Sequence, residues 1–281
     1  MPIALVVASV LAGTAPALAA PAPLAAPIIA AERGFAADAQ RYGVRLAFLA
    51  HFDADSWLFR PHPVAAHAAL ARDADDGSRL EWAPEIAGVS TGGDIGFTSG
   101  PWSAHAPGVD RLAHGHFLTI WKRGADGIWR VQVDGGISHA PLEQPVGEVK
   151  IVTSAADSPA NAGVAPVERR RLLEKGDDAL RDALGKADGD FASIWRRIAD
   201  PDLRVLRPGH VPASGTEAFD LIAQDARGRG NGARRALDIA SAGDLAYTIG
   251  GDASCAACGS YFRIWRWHGD AWRLLIDLEK P

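Results

Sequence analysis

The sequence contains the same pattern of residues twice, in the same order, in its two halves. An Asp-x-Asp-x4-Arg-Pro frame occupies residues 53–61 and recurs at residues 200–208. Later landmarks recur as ordered pairs: Gly93-Asp94 with Gly243-Asp244, Thr98 with Thr248, Trp121 with Trp265, and Asp134 with Asp277. Such a repeat predicts two copies of one domain, each of roughly 110 residues and large enough for its own core.

Composition marks where the two copies begin and end. Residues 142–167 are rich in Pro, Ala, Ser and Asn and show no sustained apolar periodicity, which is typical of a linker. The first copy is therefore predicted to span residues 28–141, and the second copy residues 168–281.

An apolar segment precedes the first copy. Residues 1–20 carry no charge and end in Ala17-Leu18-Ala19-Ala20, where small residues suit a signal peptidase. The usual basic start is missing, since the first Lys or Arg is Arg33, so retention as an anchor stays an alternative to cleavage. We predict a signal peptide and a periplasmic or secreted protein. No stable membrane span is predicted after its removal, because no later segment approaches the roughly 20 apolar residues that a bilayer requires.

The only two cysteines form a C-x-x-C sequence, Cys255 and Cys258. In an exported protein, the prediction is a disulfide within one short loop. A haem attachment would need a His where Gly259 stands, and a zinc site would need two further ligands. A thioredoxin-type redox pair is the remaining alternative, but no helix N-terminus follows to stabilise a thiolate. Neither a metal nor a cofactor is predicted.

The charge balance excludes one class of partner. The net charge is -5 and 48% of the residues are hydrophobic, as in a soluble globular protein. A protein that tracks a phosphate backbone needs an excess of Lys and Arg, so nucleic acid is not a predicted partner.

In each copy, segments with helical periodicity come first and strand-like segments follow. Apolar residues at intervals of three and four predict helices. Their ranges are 30–40, 44–52 and 64–72, then 172–184, 191–198 and 216–227. The D-x-D motif is predicted to close the second helix, and alternating residues predict the strands. The strand ranges are 57–60, 80–91, 94–102, 117–122 and 128–134, then 203–206, 233–240, 244–249, 261–267 and 272–276. This order predicts α+β domains with about three helices on one side of a curved antiparallel sheet.

Three stretches of the first copy carry a resemblance to a known family: LAFLAHFDADSWLFRP, LEWAPEIAGVSTGGDIGFTSGPW and HGHFLTIWKRGADGIWRVQVDGG. Together they resemble the nuclear transport factor 2-like superfamily, in particular its SnoaL-like and secreted bacterial branches. The second copy resembles it more faintly. The resemblance implies two cone-shaped domains, each with an apolar pocket. Members of the superfamily include ketosteroid isomerases, polyketide cyclases, dehydratases and binding modules.

One position departs from the pattern of the isomerases. Their general base is a carboxylate that stands directly before the proline ending the first short strand. Arg60 and Arg207 occupy that position here, and a guanidinium stays protonated at working pH. Each arginine is predicted either to hold an anionic ligand or to pair with an acid of its own copy, Asp134 or Asp277. We favour the internal pairs.

Histidine is concentrated in the first copy, which holds seven of the nine. His116 and Asp134 are therefore the predicted acid and base candidates. His114 and His116 share one face of a strand, as a metal-binding pair would, but a third ligand would have to come from His105, His139 or Glu85. Predicted ligand-binding residues are Arg60, His62, Trp82, Trp102, Phe117, Trp121, Arg207, Tyr261, Arg263 and Trp265; aromatic residues at alternating strand positions are also typical of a core.

Three functions remain open from the sequence. The first is an exported tandem protein that binds a small, mainly apolar molecule. Whether that molecule also carries an anionic group is left open. The second is an isomerase-, cyclase- or dehydratase-like acid-base enzyme with its site in the first copy. The third is a structural pseudo-dimer without a ligand, and a homo-oligomer is also compatible with the pattern.

Overall fold

The computed structural model describes residues 24–73, 77–109, 112–142, 147–152, 163–186, 191–224, 232–252, 254–255 and 258–281. The predicted signal peptide, residues 1–20, lies outside the described residues, as do residues 143–146 and 153–162 of the predicted linker. Across the described part of the chain, no helix has both the length and the apolar character needed to span a membrane.

The first copy begins with two helices and continues as a sheet. Its helices are α1 (Ala26–Tyr42), α2 (Val44–His51) and the short α3 (Ala66–Leu70). Its strands are β1 (Phe52–Phe59), β2 (Pro63–Ala65), β3 (Arg79–Trp82), β4 (Ile86–Val89), β5 (Ile95–His105), β6 (Ala113–Arg123), β7 (Trp129–Ser138) and β8 (Lys150–Val152).

The second copy repeats this order. Its helices are α4 (Pro166–Lys186), α5 (Phe191–Ile198) and α6 (Gly215–Gln224). Its strands are β9 (Ala199–Leu206), β10 (Ala213–Ser214), β11 (Arg234–Ile239), β12 (Leu245–Gly250), β13 (Ser260–His268) and β14 (Ala271–Lys280).

The predicted α+β class is confirmed, with two curved sheets. The first sheet has the order β2-β1-β7-β6-β5-β4-β8, with β3 also paired to β5, and the second has the order β10-β9-β14-β13-β12-β11. Most neighbours are antiparallel, but β1 pairs in parallel with β7, β9 with β14, and β4 with β8. Both copies thus place the strand that carries the D-x-D motif beside their last long strand.

Several boundaries differ from the prediction, and three of the differences change how the chain is divided into elements. The D-x-D motif lies within β1, not at the end of a helix, because the chain becomes extended from Phe52 onward. The predicted strand 80–91 is divided into β3 and β4, which pair with successive parts of β5. Part of the predicted linker, Lys150–Val152, forms β8 and pairs with β4.

The two sheets pack face to face. Phe59 of the first copy stacks on Phe262 of the second, with ring centroids 5.6 Å apart. Apolar side chains of both sheets form one buried cluster around them, including Phe97, Leu118, Ile120, Val133, Ile249, Ile264, Ile276 and Leu278. The helices cover the opposite face of each sheet, where Phe35, Phe48 and Trp121 pack in the first copy and Leu173, Trp195 and Leu221 in the second. The two sheets therefore share one buried apolar interface.

The aspartates of the two Gly-Asp pairs, Asp94 and Asp244, form hydrogen bonds between the two copies. The backbone N–H of Ser241 donates to Asp94 Oδ2 at 2.7 Å. In return, the backbone N–H and the hydroxyl of Thr91 both donate to Asp244 Oδ2 at 2.8 Å. These contacts are reciprocal, as a two-fold arrangement of equivalent residues requires.

Candidate functional site

A cavity of about 340 Å³ lies between the helices and the sheet of the first copy. We call it the first-copy cavity. Its lining residues are Phe35, Phe48, Phe59, Leu80, Trp82, Trp102, Ala104, Phe117, Asp134, Gly135, Gly136, Ser138 and Lys280. This size lies within the range of small-molecule sites.

Aromatic rings form most of the wall of the cavity. Phe35 of α1 contacts Phe48 of α2 and Trp82 of β3, with ring centroids 4.8 Å apart in each pair and edge-to-face geometry. Trp82 is also the cross-strand neighbour of Trp102, which extends the wall along β5. The rings hold one another in place, so the surface offered to a ligand is apolar and largely preformed.

Asp134 supplies a carboxyl group to this apolar cavity. It lies on β7 directly opposite Thr119 of β6, whose hydroxyl donates to Asp134 Oδ2 at 2.7 Å. Burial raises the pKa of Asp134 to about 7, and the nearby Glu32 adds to the effect, against the Thr119 hydrogen bond, Lys280 and Arg60, which lower it. Near neutral pH, Asp134 is therefore present in both its protonated and its ionised form.

A second carboxyl group, Glu32 of α1, is fully buried behind the aromatic wall. It accepts hydrogen bonds from the indole of Trp82, from the hydroxyl of Thr98 and, at 2.9 Å, from the indole of Trp121. Burial raises the pKa of Glu32 even though these donors favour its charged form. Glu32 fixes the orientation of Trp82 in the wall, and Trp121, predicted to bind ligand, serves instead as its buried partner.

One cavity residue comes from the other copy. Lys280, at the end of β14 in the second copy, lines the first-copy cavity. Burial lowers the pKa of Lys280, and the charge of Asp134 opposes that shift. The charges of these two lining residues therefore interact.

Large polar side chains fill the corresponding interior of the second copy. Arg263 stands opposite Asp277, as Thr119 stands opposite Asp134 in the first copy. Its guanidinium donates to Asp277 at 3.1 Å and to Asp177 of α4 at 3.2 Å, and it also pairs with Glu279.

Three more of the predicted binding residues belong to this network. Tyr261 donates its hydroxyl to Asp177 at 3.1 Å and lies under the Arg263 guanidinium, with 4.0 Å to the ring centroid. The indole of Trp265 donates to Thr248 at 3.0 Å. Arg207 donates to Asp277, which is the predicted internal pair. All three side chains are buried.

The equivalent pair in the first copy differs from the prediction. Arg60 is exposed and donates to Asp73 at 2.6 Å instead of to Asp134. The Asp134 carboxyl is thereby left facing the cavity, with Thr119 as its hydrogen-bond donor.

His116 lies on the opposite face of β6 from the cavity. Neighbouring strand residues point to opposite faces, and Phe117 points into the cavity. His116 Nε2 lies 3.0 Å from Glu85, and its Nδ1 lies 2.7 Å from His139. Glu85 in turn accepts a hydrogen bond from Arg204 of the second copy at 3.0 Å.

The structure therefore separates the two predicted acid-base residues. His116 takes part in contacts between the copies, and only Asp134 faces the cavity. Burial lowers the pKa of His116 in spite of the Glu85 hydrogen bond, which raises it.

His62 also contacts the other copy, with Nδ1 2.6 Å from the Ser260 hydroxyl. Although Glu85 and His139 do adjoin His116, no group of three His, Cys, Asp or Glu is arranged as a metal site among the described residues.

Of the predicted site residues, the structure brings together Asp134, Trp82, Trp102 and Phe117 in the first-copy cavity. Sequence reasoning missed Lys280, Phe35, Phe48 and the buried Glu32. The helix periodicity of residues 30–40 and 44–52 marks Phe35 and Phe48 as core-facing, which was an available signal. No pattern within the first copy points to Lys280, since it is supplied by the second copy.

Several solved structures are similar to part of the chain. A nuclear transport factor 2-like protein of unknown function from Shewanella oneidensis MR-1 is 14% identical, with 39% of this chain and 95% of that chain covered and a TM-score of 0.33. A ketosteroid isomerase-like protein from Erwinia carotovora atroseptica SCRI1043 is 17% identical, with 41% and 95% covered and a TM-score of 0.35. The Δ5-3-ketosteroid isomerase from Mycobacterium sp. is 18% identical, with 39% and 91% covered and a TM-score of 0.31.

No family model matches the sequence, and no curated protein matches it at a significant level. At the identities and TM-scores given above, the structural similarity assigns no function to this chain.

Proposed function

We propose that the protein binds a small, mainly apolar molecule in the first-copy cavity. The observation that carries the proposal is the cavity itself, which is walled by aromatic rings and holds the carboxyl group of Asp134. Apolar walls supply affinity by removing the ligand from water, while a few polar groups fix its orientation.

The contrast between the copies supports this assignment. Arg263, Tyr261 and Glu279 occupy the interior of the second copy, where the equivalent strand positions of the first copy carry Thr119, Phe117 and Gly136. A Cβ at Gly136 would lie 2.6 Å from the backbone oxygen of His116, so the first copy keeps that position small. In this proposal, the second copy serves as the covalent partner that completes and supports the first.

A second candidate function is acid-base catalysis by Asp134. A pKa of about 7 suits a group that must accept and donate a proton at neutral pH, and the apolar walls would exclude water from the reacting atoms. The reaction would be of the isomerase, cyclase or dehydratase type. Its test is Asp134→Asn, which should abolish turnover of any such substrate while leaving its binding in place.

The binding proposal can be tested with a neutral probe, 2-naphthalenemethanol, whose ring system and single hydroxyl match the cavity chemistry. Titration calorimetry of the full chain should give one site. Ala104→Phe places a phenyl ring in the cavity and should abolish binding. The matched control is Ser103→Phe, which adds the same ring at the neighbouring position of β5, on the opposite face of the strand. Equal binding by both variants, or no binding by the parent protein, would overturn the proposal.

We also propose that the chain is exported to the periplasm or the medium. The apolar segment at residues 1–20 supports this, and so does the bond between Cys255 and Cys258, because disulfides persist in oxidising compartments. Protein isolated from its own host should lack the segment, and its mass should rise by about two hydrogens on reduction. Recovery with free thiols from the cytoplasm would contradict export.

A further inference from the structure

The polar groups of the first-copy cavity belong to different copies. Asp134 lies on β7 of the first copy, whereas Lys280 is the last residue of β14 in the second. Ser138 is the remaining lining residue with a polar side chain, and it lies at the exposed end of β7. The rest of the lining is aromatic, aliphatic or glycine, so a charged ligand group would depend on Asp134 and Lys280.

We propose that Lys280 is the anion-binding residue of the first-copy cavity, and that the ligand is a small ring compound with one carboxylate. This inference rests on the proposed binding function and specifies its ligand class. An ammonium group has three hydrogen-bond donors and no acceptor. It therefore selects an anionic oxygen over a neutral or cationic group. Only a chain that contains both copies has the complete site.

The charges around the cavity determine the pH range in which such a ligand can bind. The charges of Glu32 in α1, Arg60 directly after β1 and Lys280 in β14 act on Asp134, and Thr119 of β6 is its hydrogen-bond donor. A carboxylate beside an ionised Asp134 would be repelled, whereas a protonated Asp134 can donate a hydrogen bond to it. The ligand therefore binds together with one proton, and its negative charge offsets the cost of burying a charged Lys280.

The probe for this inference is 2-naphthoate, with neutral 2-naphthalenemethanol as the reference. An aromatic carboxylate has a pKa of about 4 and stays ionised above about pH 5.5. Naphthoate affinity, measured by calorimetry on the full chain, should fall about tenfold per pH unit above pH 7, while the affinity for the alcohol should change far less.

Lys280→Met should weaken naphthoate binding about 10- to 100-fold and leave binding of the alcohol within about threefold. The matched control is Lys122→Met, which removes the same charge and also breaks a contact between the copies, the 2.6 Å bond to Asp238 outside the cavity lining. It should leave both affinities unchanged.

Each outcome separates the two proposals. If the alcohol binds but Lys280→Met leaves naphthoate affinity unchanged, or lowers it no more than Lys122→Met does, the anion-binding role is wrong and the binding function stands. If neither probe binds the parent protein, the binding function itself fails. Equal losses of both probes in Lys280→Met would show a packing role and would also overturn the anion-binding role.

Discussion

Thr119 stands opposite Asp134 across β6 and β7, and its hydroxyl donates to Asp134 Oδ2 at 2.7 Å. The equivalent position of the second copy holds Arg263, opposite Asp277. Together with the exchange of Phe117 for Tyr261 and of Gly136 for Glu279, this difference distinguishes the cavity of the first copy, with its accessible carboxyl group, from the filled interior of the second copy.

Thr119→Arg should therefore convert the first copy to the arrangement of the second. The new guanidinium is expected to pair with Asp134, lower its pKa and occupy the cavity, so that binding of 2-naphthalenemethanol is lost. Calorimetry checks the affinity, and the control is Thr119→Val, which replaces the hydroxyl with a methyl group and keeps the size of the parent side chain. Parent-like binding by the arginine variant would show that the cavity is not the binding site.

The raised pKa of Asp134 gives a distinct pH dependence of stability. In the unfolded chain an Asp titrates near pH 4, so between about pH 4 and 7 the folded state holds a proton that the unfolded state has lost. The free energy of unfolding should fall over this interval as pH rises, by roughly 2 kcal/mol after allowance for partial exposure. Asp134→Asn should lack this fall in urea titrations, whereas Asp126→Asn, at an exposed turn, should keep it.

His116 should act in the opposite direction. Because burial lowers its pKa below the usual value of about 6.5, the unfolded chain takes up a proton before the folded chain does as pH falls. Relative to His116→Gln, the parent should lose stability below about pH 6.5 with a slope of up to about 1.4 kcal/mol per pH unit. His114→Gln, on the same face of β6, is the matched control, and an identical slope in parent and His116→Gln would contradict the placement of His116.

The reciprocal bonds of Asp94 and Asp244 should stabilise the packing of the two copies. Replacing either residue with Ala leaves donors of the other copy without their acceptor and should lower the free energy of unfolding by about 1 to 2 kcal/mol. Urea titration measures the change. Asp270→Ala, at an exposed hairpin turn, should have little effect. Equal small effects at all three positions would contradict the stabilising role of the Asp94 and Asp244 hydrogen bonds.

The repeat made much of the fold predictable, because two equivalent sets of landmarks had to form equivalent elements. It also singled out Asp134 through its counterpart Asp277. The separation of His116 from the cavity was predictable in part, since Phe117 and His116 are adjacent in a strand and cannot both face one pocket. Lys280 could not be found in this way, because its place in the site depends on how the two sheets pack and not on a pattern within either copy.

The most direct measurement is a crystal structure of the full chain soaked with 2-naphthalenemethanol. Our account predicts one molecule per chain, with its rings among Trp82, Trp102 and Phe117 and its hydroxyl within hydrogen-bonding distance of Asp134. A molecule bound between the two sheets or in the second copy, with the first-copy cavity empty, would contradict it.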